Sequence, residues 1–282
     1  MSCSTCPSVD LEECEKVAVG IARQAGKIIK DTCGKVRSVE SKQSFADLVT
    51  ETDQNVEKLV FAELKKSFPN HRFIGEESVA AANHGKVEFT DEPTWIVDPV
   101  DGTMNFVHTL PFVAVCIGLA LNKKPVLGVV FCPALDQMFT ARQGNGAYCN
   151  GQPINVRCSP SLRESLICAE FGSDRSEEKR VCVFKNLESI SWQCHGIRCL
   201  GSAAMNICSV ALGQTNAFYE FGLHCWDMCA PVAILVEAGG YVCDTKGGPL
   251  NLIGRRLIVA CDENIARQLS AAMTCHLELP SD

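Results

Sequence analysis

The sequence predicts an α/β fold built from two mixed halves, residues 1–156 and residues 157–282. Residues 10–30 carry apolar side chains at the spacing of an amphipathic helix. Apolar runs within residues 112–131 are separated by a polar turn, which is typical of a hairpin of buried strands. From Ser165 onward, strand-like and helix-like segments alternate. Together these observations favour mixed sheets that are covered by helices.

The N-terminal half opens with that helix, and a second helix follows. Thr52 or Asp53 can cap the second helix, and the pattern alone assigns Asp53 no more than such a role. A strand over residues 72–74 comes next, and Glu76 and Glu77 follow it closely. Acids at this position either belong to an exposed loop or are carboxylates that the strand end delivers to a site.

The next strand is the centre of the prediction. Trp95-Ile96-Val97 is an apolar run of the kind that a strand covered on both faces shows. Pro99 cannot donate to a sheet ladder, so we expect the strand to end about there. Asp98 and Asp101 would then lie on a turn.

The residues of this turn suit a phosphate site. Asp98 and Asp101 offer oxygen ligands to a hard cation such as Mg²⁺. Gly102 and Thr103 offer backbone N–H groups to an anion if a helix begins there. The same residues are also compatible with a plain turn, because Asp, Pro and Gly all favour turns. The site needs further carboxylates from elsewhere in the chain.

The C-terminal half is predicted to alternate strands with helices. Ser202 can cap an apolar helix over residues 203–212, and Asp227 stands at the start of a helix that runs to residue 238. His224 and Cys225 are chain neighbours that should point apart, so we expect packing roles for both rather than a nucleophile pair. The other predicted elements are strands at 166–169, 194–198, 217–219, 241–243 and 257–260, and helices at 177–189 and 264–273.

Composition disfavours several classes of partner. The chain has 282 residues and a formal net charge of −7, with 46% hydrophobic and 21% charged residues. An acidic protein is a poor match for nucleic acid or an anionic membrane, so we expect neither as a partner. The sequence begins without a signal-peptide pattern, and its apolar runs are too short to span a bilayer, which predicts a cytoplasmic protein.

The chain contains 18 cysteines. Most are scattered singly on apolar segments, where free thiols behave as small hydrophobic side chains in a reducing compartment. Cys3 and Cys6 form a Cys-x-x-Cys pair, but no second pair has matching zinc-site spacing. We interpret this pair as exposed thiols of a frayed terminal segment.

Four separated segments combine acids with small or hydroxyl residues. They are Asp47-Leu48-Val49-Thr50-Glu51-Thr52-Asp53, Gly75-Glu76-Glu77-Ser78, Trp95-Ile96-Val97-Asp98-Pro99-Val100-Asp101-Gly102-Thr103, and Trp226-Asp227-Met228-Cys229-Ala230. In this order they resemble the motifs of the inositol monophosphatase family, and of its animal branch in particular. The resemblance covers nearly the whole chain. Met104 and Ser202 depart from the residues that are often found at these positions, but neither change removes a metal ligand.

The resemblance implies a layered αβαβα fold, a homodimer, and a Mg²⁺-dependent phosphatase that hydrolyses inositol monophosphate and is inhibited by Li⁺. It also implies metal ligands. The first Mg²⁺ would be held by Glu76, Asp98 and the carbonyl oxygen of Val100, and the second by Asp98, Asp101 and Asp227. Glu76 would share a third, weaker ion, and Asp53 would support the cluster through water.

The family pattern further implies catalytic and substrate-binding residues. Glu76 and Thr103, with Asp53 behind them, would orient the attacking water. The substrate contacts would come from Asp101, Gly102, Thr103, Ser202, Ala203, Glu220 and Asp227. Lys42 would stand near the entrance for metal.

Three alternatives differ from this interpretation. The haloacid-dehalogenase phosphatases use an Asp-x-Asp-Gly-Thr motif, but Asp98 and Asp101 are separated by two residues rather than one. A related phosphatase for a sugar phosphate or a 3′-phosphonucleotide is closer, although the sequence shows no obvious extra basic residues for a second phosphate. A catalytically inactive metal-binding scaffold is the third, and the presence of all the acids argues against it.

Overall fold

Two mixed β-sheets and the helices around them form the frame of the computed structural model, which describes residues 9–35, 39–42, 44–82 and 87–282. The helices are α1 Leu11–Thr32, α2 Glu51–Ser67, α3 Glu76–Ala81, α4 Thr103–His108, α5 Glu177–Ser191, α6 Ala203–Ala211, α7 Cys225–Glu237 and α8 Glu263–Ala272. The strands are β1 Val39–Ser41, β2 Leu48–Thr50, β3 Arg72–Gly75, β4 Thr94–Asp101, β5 Ala114–Leu121, β6 Lys124–Cys132, β7 Gln137–Arg142, β8 Ala147–Cys149, β9 Gln152–Ile154, β10 Leu166–Ala169, β11 Gly196–Arg198, β12 Ala217–Phe221, β13 Tyr241–Cys243 and β14 Arg256–Ala260. The Cys3–Cys6 pair lies outside the described residues.

The elements stack in five layers, as predicted. The first sheet has the order β3-β4-β5-β6-β7-β8-β9, and the second has the order β11-β10-β12-β14-β13. One apolar cluster joins α1 and α2 to the outer face of the first sheet. A second lies between the two sheets and includes α6 and α7, and a third joins α8 and α5 to the far face of the second sheet. The order is therefore α, β, α, β, α.

Residues of both sequence halves contribute to the cluster between the sheets. The packing of α7 on the first sheet explains how this happens. A Cβ atom at Gly128 would lie 2.0 Å from the carbonyl oxygen of Ala230, and one at Gly118 would lie 2.7 Å from Cys229 Sγ. Only glycine allows the helix to approach this closely. The close approach carries the start of α7, with Asp227, towards the end of β4. The division of the chain at residue 156 stays a prediction.

The predicted end of the central strand was wrong. β4 continues past Pro99 to Asp101, and its register with β5 shifts between Asp98 and Asp101. A β-bulge of this kind inserts a residue that needs no ladder partner, so a proline is tolerated there. Asp98 and Asp101 therefore lie on a bulged strand end rather than on a turn.

One helix start also differs from the prediction, and another decides between two alternatives that the sequence left open. The cap of α2 is Thr50, while Asp53 completes a capping box by accepting a hydrogen bond from the backbone N–H of Thr50. Glu76 and Glu77 form the first turn of α3 rather than an exposed loop. Within the described residues, no helix combines the length and the hydropathy that crossing a bilayer requires.

Candidate active site

Two buried carboxylates and a half-buried one meet where β4, α6 and α7 converge. One oxygen from each of Asp98, Asp101 and Asp227 lies within 4.8 Å of the others. Asp98 is 2% exposed and its carboxylate accepts a hydrogen bond from the N–H of Val100 at 3.0 Å, which the bulge makes possible. The sequence prediction had already grouped these three acids as ligands of one ion.

Asp101 is fixed by the start of α6. Its carboxylate accepts hydrogen bonds from the N–H groups of Ala203 and Ala204, each at 3.1 Å, and a short one from the hydroxyl of Ser202. Ser202 also caps α6 through the N–H of Met205. Since every one of these donors favours the ionised form, they oppose the burial that raises the pKa of Asp101 to about 7.

Asp227 occupies the third position of α7 in a capping box. Its carboxylate accepts a hydrogen bond from the N–H of His224 at 2.7 Å. Burial raises the pKa of Asp227 to about 6 and that of Asp98 well above its usual range, and repulsion from Glu76 adds to both. Repulsion among these neighbouring carboxylates therefore disfavours having all of them ionised at once when no cation is present. A hard dication would neutralise the repulsion.

Glu76 lies beside the three aspartates but is not in their closest group. Lys42 donates hydrogen bonds to Glu76 Oε1 and Glu77 Oε1, both at 2.7 Å. Burial, together with repulsion from Glu76, raises the pKa of Glu77 to about 7. The start of α3 is held by Glu57, which accepts hydrogen bonds from the N–H groups of Glu77 and Ser78 at 2.8 Å. Glu57 thereby fixes the direction in which Glu76 points.

Asp53 and Thr103 form a connected pair behind the cluster. Thr103 Oγ1 lies 3.0 Å from both Asp53 Oδ1 and the carbonyl oxygen of Val100. Thr50 donates two hydrogen bonds to the other oxygen of Asp53, from N–H at 2.9 Å and from Oγ1 at 2.5 Å. Burial nevertheless raises the pKa of Asp53 to about 6. A carboxylate with this pKa, linked to a hydroxyl, can take up a proton near neutral pH.

The three aspartates, Glu76 and Thr103 line one cavity of about 550 Å³. Its lining includes every site residue predicted from the sequence except Asp53, which lies behind Thr103; these are Lys42, Glu76, Asp98, Val100, Asp101, Gly102, Thr103, Ser202, Ala203, Glu220 and Asp227. Gly102 has φ +85°, and a Cβ there would lie 2.7 Å from the carbonyl oxygen of Phe112, so only glycine fits this position. The cavity also has two arginines that the sequence prediction did not use, Arg175 and Arg255.

Glu220 lies on β12 at another wall of the cavity. Burial raises its pKa well above the usual range, and Glu170 adds repulsion. Glu170 itself is held by the N–H of Gly201 at 2.7 Å and by Asn206 at 2.8 Å. A protonated Glu220 can donate a hydrogen bond as well as accept one, which suits a polyhydroxylated ligand.

The sequence prediction missed a residue that supports α7. The carboxylate of Asp282, whose side chain is 3% exposed, accepts a hydrogen bond from the N–H of Cys225 at 3.1 Å and lies 2.5 Å from His224 Nδ1. His224 stacks on Trp226 at 4.5 Å between ring centroids. His224 and Cys225 therefore pack, as expected, but they also connect Asp282 to the helix start that carries Asp227.

We expect Asp282→Ala to weaken the binding of a divalent cation by the three aspartates and to lower activity by about tenfold, because α7 loses a contact that orients Asp227. Asp282→Asn should recover most of the loss, since its amide oxygen can still accept from Cys225. Calorimetric titration with Mg²⁺ and steady-state kinetics would measure both. Ser281→Ala, at an exposed neighbour, is the control. An alanine variant with wild-type metal affinity and kcat would exclude this positioning role.

The raised pKa values predict how pH affects the metal-free protein. The folded pKa of Asp101, about 7, exceeds the ordinary value of 3.8, so the folded state binds more protons than the unfolded state between these values. This contribution to stability is complete below about pH 4 and is lost as pH rises through about 7. In chelator, Tm should fall between about pH 5 and pH 8, less so in Asp101→Asn. If plots of Tm against pH run parallel for the wild type and Asp101→Asn, Asp101 does not cause the pH dependence.

Comparisons with solved structures identify the class of fold. The extragenic suppressor protein suhB of Bartonella henselae is 32% identical, with a TM-score of 0.83, and the match covers 94% of this chain and 100% of that one. The IMPase of Thermotoga maritima is 31% identical, with a TM-score of 0.82, over 93% of this chain and 96% of that one. The layered fold is thus the fold of the SuhB-type and IMPase-type phosphatases.

The sequence comparisons identify the family. The chain belongs to the inositol monophosphatase family, which it matches over residues 10–278. Inositol monophosphatase 1 of Rattus norvegicus is 48% identical over 263 residues, which are 92% of this chain and 94% of that protein. Inositol monophosphatase 2 of Homo sapiens is 43% identical over 263 residues, which are 93% of this chain and 91% of that protein. The resemblance noted in the sequence is therefore confirmed.

Proposed function

We propose that the protein hydrolyses myo-inositol monophosphate to inositol and phosphate with Mg²⁺ as cofactor. The observation that supports this most directly is the group of three aspartate carboxylates that face one cavity. Their oxygens are hard ligands, and their raised pKa values reflect burial and mutual repulsion of the ionised forms, which a bound cation would relieve. Relatives named inositol monophosphatase over most of their length support the substrate.

The proposed ligands are those implied by the family pattern. Asp98, Asp101, Asp227, Glu76 and the Val100 carbonyl would hold two Mg²⁺ ions, and Glu76 would share a third. When bound, the ions supply positive charge that lowers the pKa of the attacking water and stabilises the oxygen that leaves. Lys42 holds Glu76 and Glu77 in place near the entrance.

The residues behind the ligands provide a path for the proton. The attacking water would donate to Thr103 Oγ1 or Glu76, and Thr103 would donate to Asp53. Because the pKa of Asp53 is raised to about 6, its carboxylate can share the proton during attack. Glu76 and Thr103 are accordingly the proposed catalytic groups, with Asp53 behind them.

Substrate binding would use the opposite walls of the cavity. The N–H groups of Gly102 and Thr103 would donate to the phosphate. The inositol hydroxyl groups would contact Asp101, Ser202, Ala203, Glu220 and Asp227. A buried Glu220 and the hydroxyl of Ser202 offer both donors and acceptors to such a ligand.

An assay of phosphate release tests the proposal. Myo-inositol 1-phosphate should be hydrolysed with Mg²⁺ and not in chelator. Fructose 1,6-bisphosphate and a 3′-phosphonucleotide belong in the same panel, because Arg175 and Arg255 line the cavity and could meet a second phosphate. A preference for either of these would replace the proposed substrate. No release from any of them would favour a metal-binding scaffold.

Lithium should inhibit the enzyme in a characteristic manner. A small monovalent cation held by Asp98, Asp101 and Asp227 after hydrolysis would add less charge than Mg²⁺ and would trap the product phosphate. Inhibition should therefore be uncompetitive or noncompetitive with substrate and should weaken as Mg²⁺ rises. Initial rates over a grid of Li⁺, Mg²⁺ and substrate concentrations would measure this.

Variants locate the lithium site. Removing the carboxylate of Asp227 should remove Li⁺ sensitivity together with most activity. Met104→Leu should leave both largely intact, since the Met104 side chain is partly exposed and carries no ligand atom for a hard cation. Purely competitive inhibition that Mg²⁺ does not affect would contradict this account of the second ion.

The family pattern also implies a homodimer in the cytoplasm. The exposed rings of Phe171 and Phe184, 5.7 Å apart, form part of an apolar surface that a second copy could cover. The described cysteines are all free thiols, which supports a reducing compartment. Sedimentation velocity of the purified chain, which should give the mass of two chains, tests the dimer.

A further inference from the structure

A second group of metal-binding side chains lies away from the active site. The ligand atoms of Cys158, Cys261 and Asp262 lie within 4.8 Å of one another, and none of the three lines the active-site cavity. Cys158 belongs to the segment between β9 and β10, Cys261 directly follows β14, and Asp262 caps α8. Two distant parts of the chain, the segment with Cys158 and the junction of β14 with α8, thus bring two sulfur atoms and a carboxylate together.

Asn216, the residue before β12, holds the two cysteines in this arrangement. Its side chain donates to the carbonyl oxygen of Arg157 at 3.0 Å and accepts from the N–H of Leu166 at 2.8 Å. Its own carbonyl oxygen accepts from the N–H of Cys261 at 2.8 Å. The backbone on both sides of the sulfur pair is therefore fixed by one residue, without any contribution from an ion.

The third side chain is also fixed independently. Asp262 Oδ1 accepts a hydrogen bond from the N–H of Ile265 at 2.8 Å, which caps α8. One of its two carboxylate oxygens can serve as cap while the other binds an ion. Cys158 is exposed and Cys261 is buried, so the group is open to solvent on the side of Cys158.

We propose that Cys158, Cys261 and Asp262 form a zinc site that is separate from the catalytic centre. Two thiolates and one carboxylate are a ligand set that Zn²⁺ favours and Mg²⁺ does not. With Zn–S bonds of about 2.3 Å in a tetrahedral site, the two sulfurs would lie about 3.8 Å apart. This spacing falls within the 4.8 Å that the side chains already show. Water would fill the fourth position on the exposed side.

The site would join residues 155–165, which link β9 to β10, to the start of α8. A hydrogen bond also links this segment to α8, because the N–H of Leu162 donates to Gln268 Oε1 at 2.9 Å. An ion that binds the folded chain only adds to its stability by mass action. We therefore expect Zn²⁺, added in the presence of saturating Mg²⁺, to raise Tm more in the wild type than in Cys158→Ser.

Titration of the reduced, metal-free protein with Co²⁺ tests the site directly. Co²⁺ bound to thiolate shows a charge-transfer absorption that Co²⁺ bound to carboxylates alone does not, so the catalytic centre does not contribute to the signal. The titration uses the full chain with Cys3→Ser and Cys6→Ser, which removes the sequence's Cys-x-x-Cys pair. We expect the absorption to saturate at one Co²⁺ per chain and to disappear when Zn²⁺ is added.

Single substitutions on this background identify the ligands. Cys158→Ser and Cys261→Ser should each abolish the absorption, and Asp262→Asn, which can still cap α8, should weaken Co²⁺ binding. Cys199→Ser removes an exposed thiol elsewhere and should change nothing. No thiolate absorption, or an absorption that survives Cys158→Ser, would overturn the proposal. So would a Cys158–Cys261 disulfide, found by peptide mapping, that on reduction leaves a protein unable to bind Co²⁺.

Discussion

Asp98→Asn should lower kcat by about a thousandfold or more, the largest effect that we expect from one substitution. Asp98 belongs to the group of three aspartates whose ligand atoms lie within 4.8 Å of one another, and it is the proposed ligand of two ions. Loss of its charge removes several kcal/mol of stabilisation from the transition state, and each 1.36 kcal/mol corresponds to about tenfold in rate. Steady-state kinetics at saturating substrate, over a range of Mg²⁺ concentrations, would measure the loss.

The variant should nevertheless fold. An asparagine oxygen can still accept the hydrogen bond from Val100, and the amide removes one of the repelling charges, so the Tm of the metal-free variant should equal or exceed that of the wild type. Asp91→Asn, at an exposed residue, is the control and should leave kcat unchanged. If Asp98→Asn keeps a near-normal kcat with Mg²⁺, the assignment of metal ligands is wrong.

Much of the fold could be predicted because hydrophobic periodicity is local. The spacing of α1 and the alternation after Ser165 predicted elements that the structure contains. The end of β4 was missed because a bulge depends on the partner strand, and the sequence of one strand does not show it. The cap of α2 was missed for a similar reason, since Thr50 ends β2 and caps the helix at once.

The site was predictable only in part from its residues. The spacing of Asp98 and Asp101 suggested a cation site, but nothing in local spacing joins either of them to Asp227, which the fold brings in on α7. The family motifs supplied that connection. Glu57 was missed, although a signal existed: it shares a helix face with Val60 and Leu64, and an acid on an apolar face is buried at a cost unless it has partners.

Glu57 matters because of the residue that it positions. It accepts the N–H groups of Glu77 and Ser78, and so fixes the first turn of α3 with Glu76 at its start. Glu76 and Glu77 both accept hydrogen bonds from Lys42 at the same distance of 2.7 Å. Only Glu76 is a proposed metal ligand and a proposed partner of the attacking water. The two neighbouring acids therefore offer a matched pair of variants.

Glu76→Gln should lower kcat by about 10² to 10⁴-fold and change KM little, because Glu76 is proposed to act on the attacking water and not on inositol. Loss of an interaction that is needed only in the transition state lowers kcat, whereas loss of an interaction with the bound substrate raises KM. Glu77→Gln removes the adjacent charge and keeps an oxygen for Lys42, so its kcat should stay within a few-fold of wild type.

Both variants should be measured at saturating Mg²⁺, since Glu76 also contributes to metal binding and subsaturation would mimic a loss of kcat. A Glu76→Gln enzyme with raised KM and intact kcat would assign Glu76 to substrate binding. If Glu76→Gln and Glu77→Gln lower kcat equally, the loss of activity comes from the missing charge near Lys42 and not from an action of Glu76 on the water.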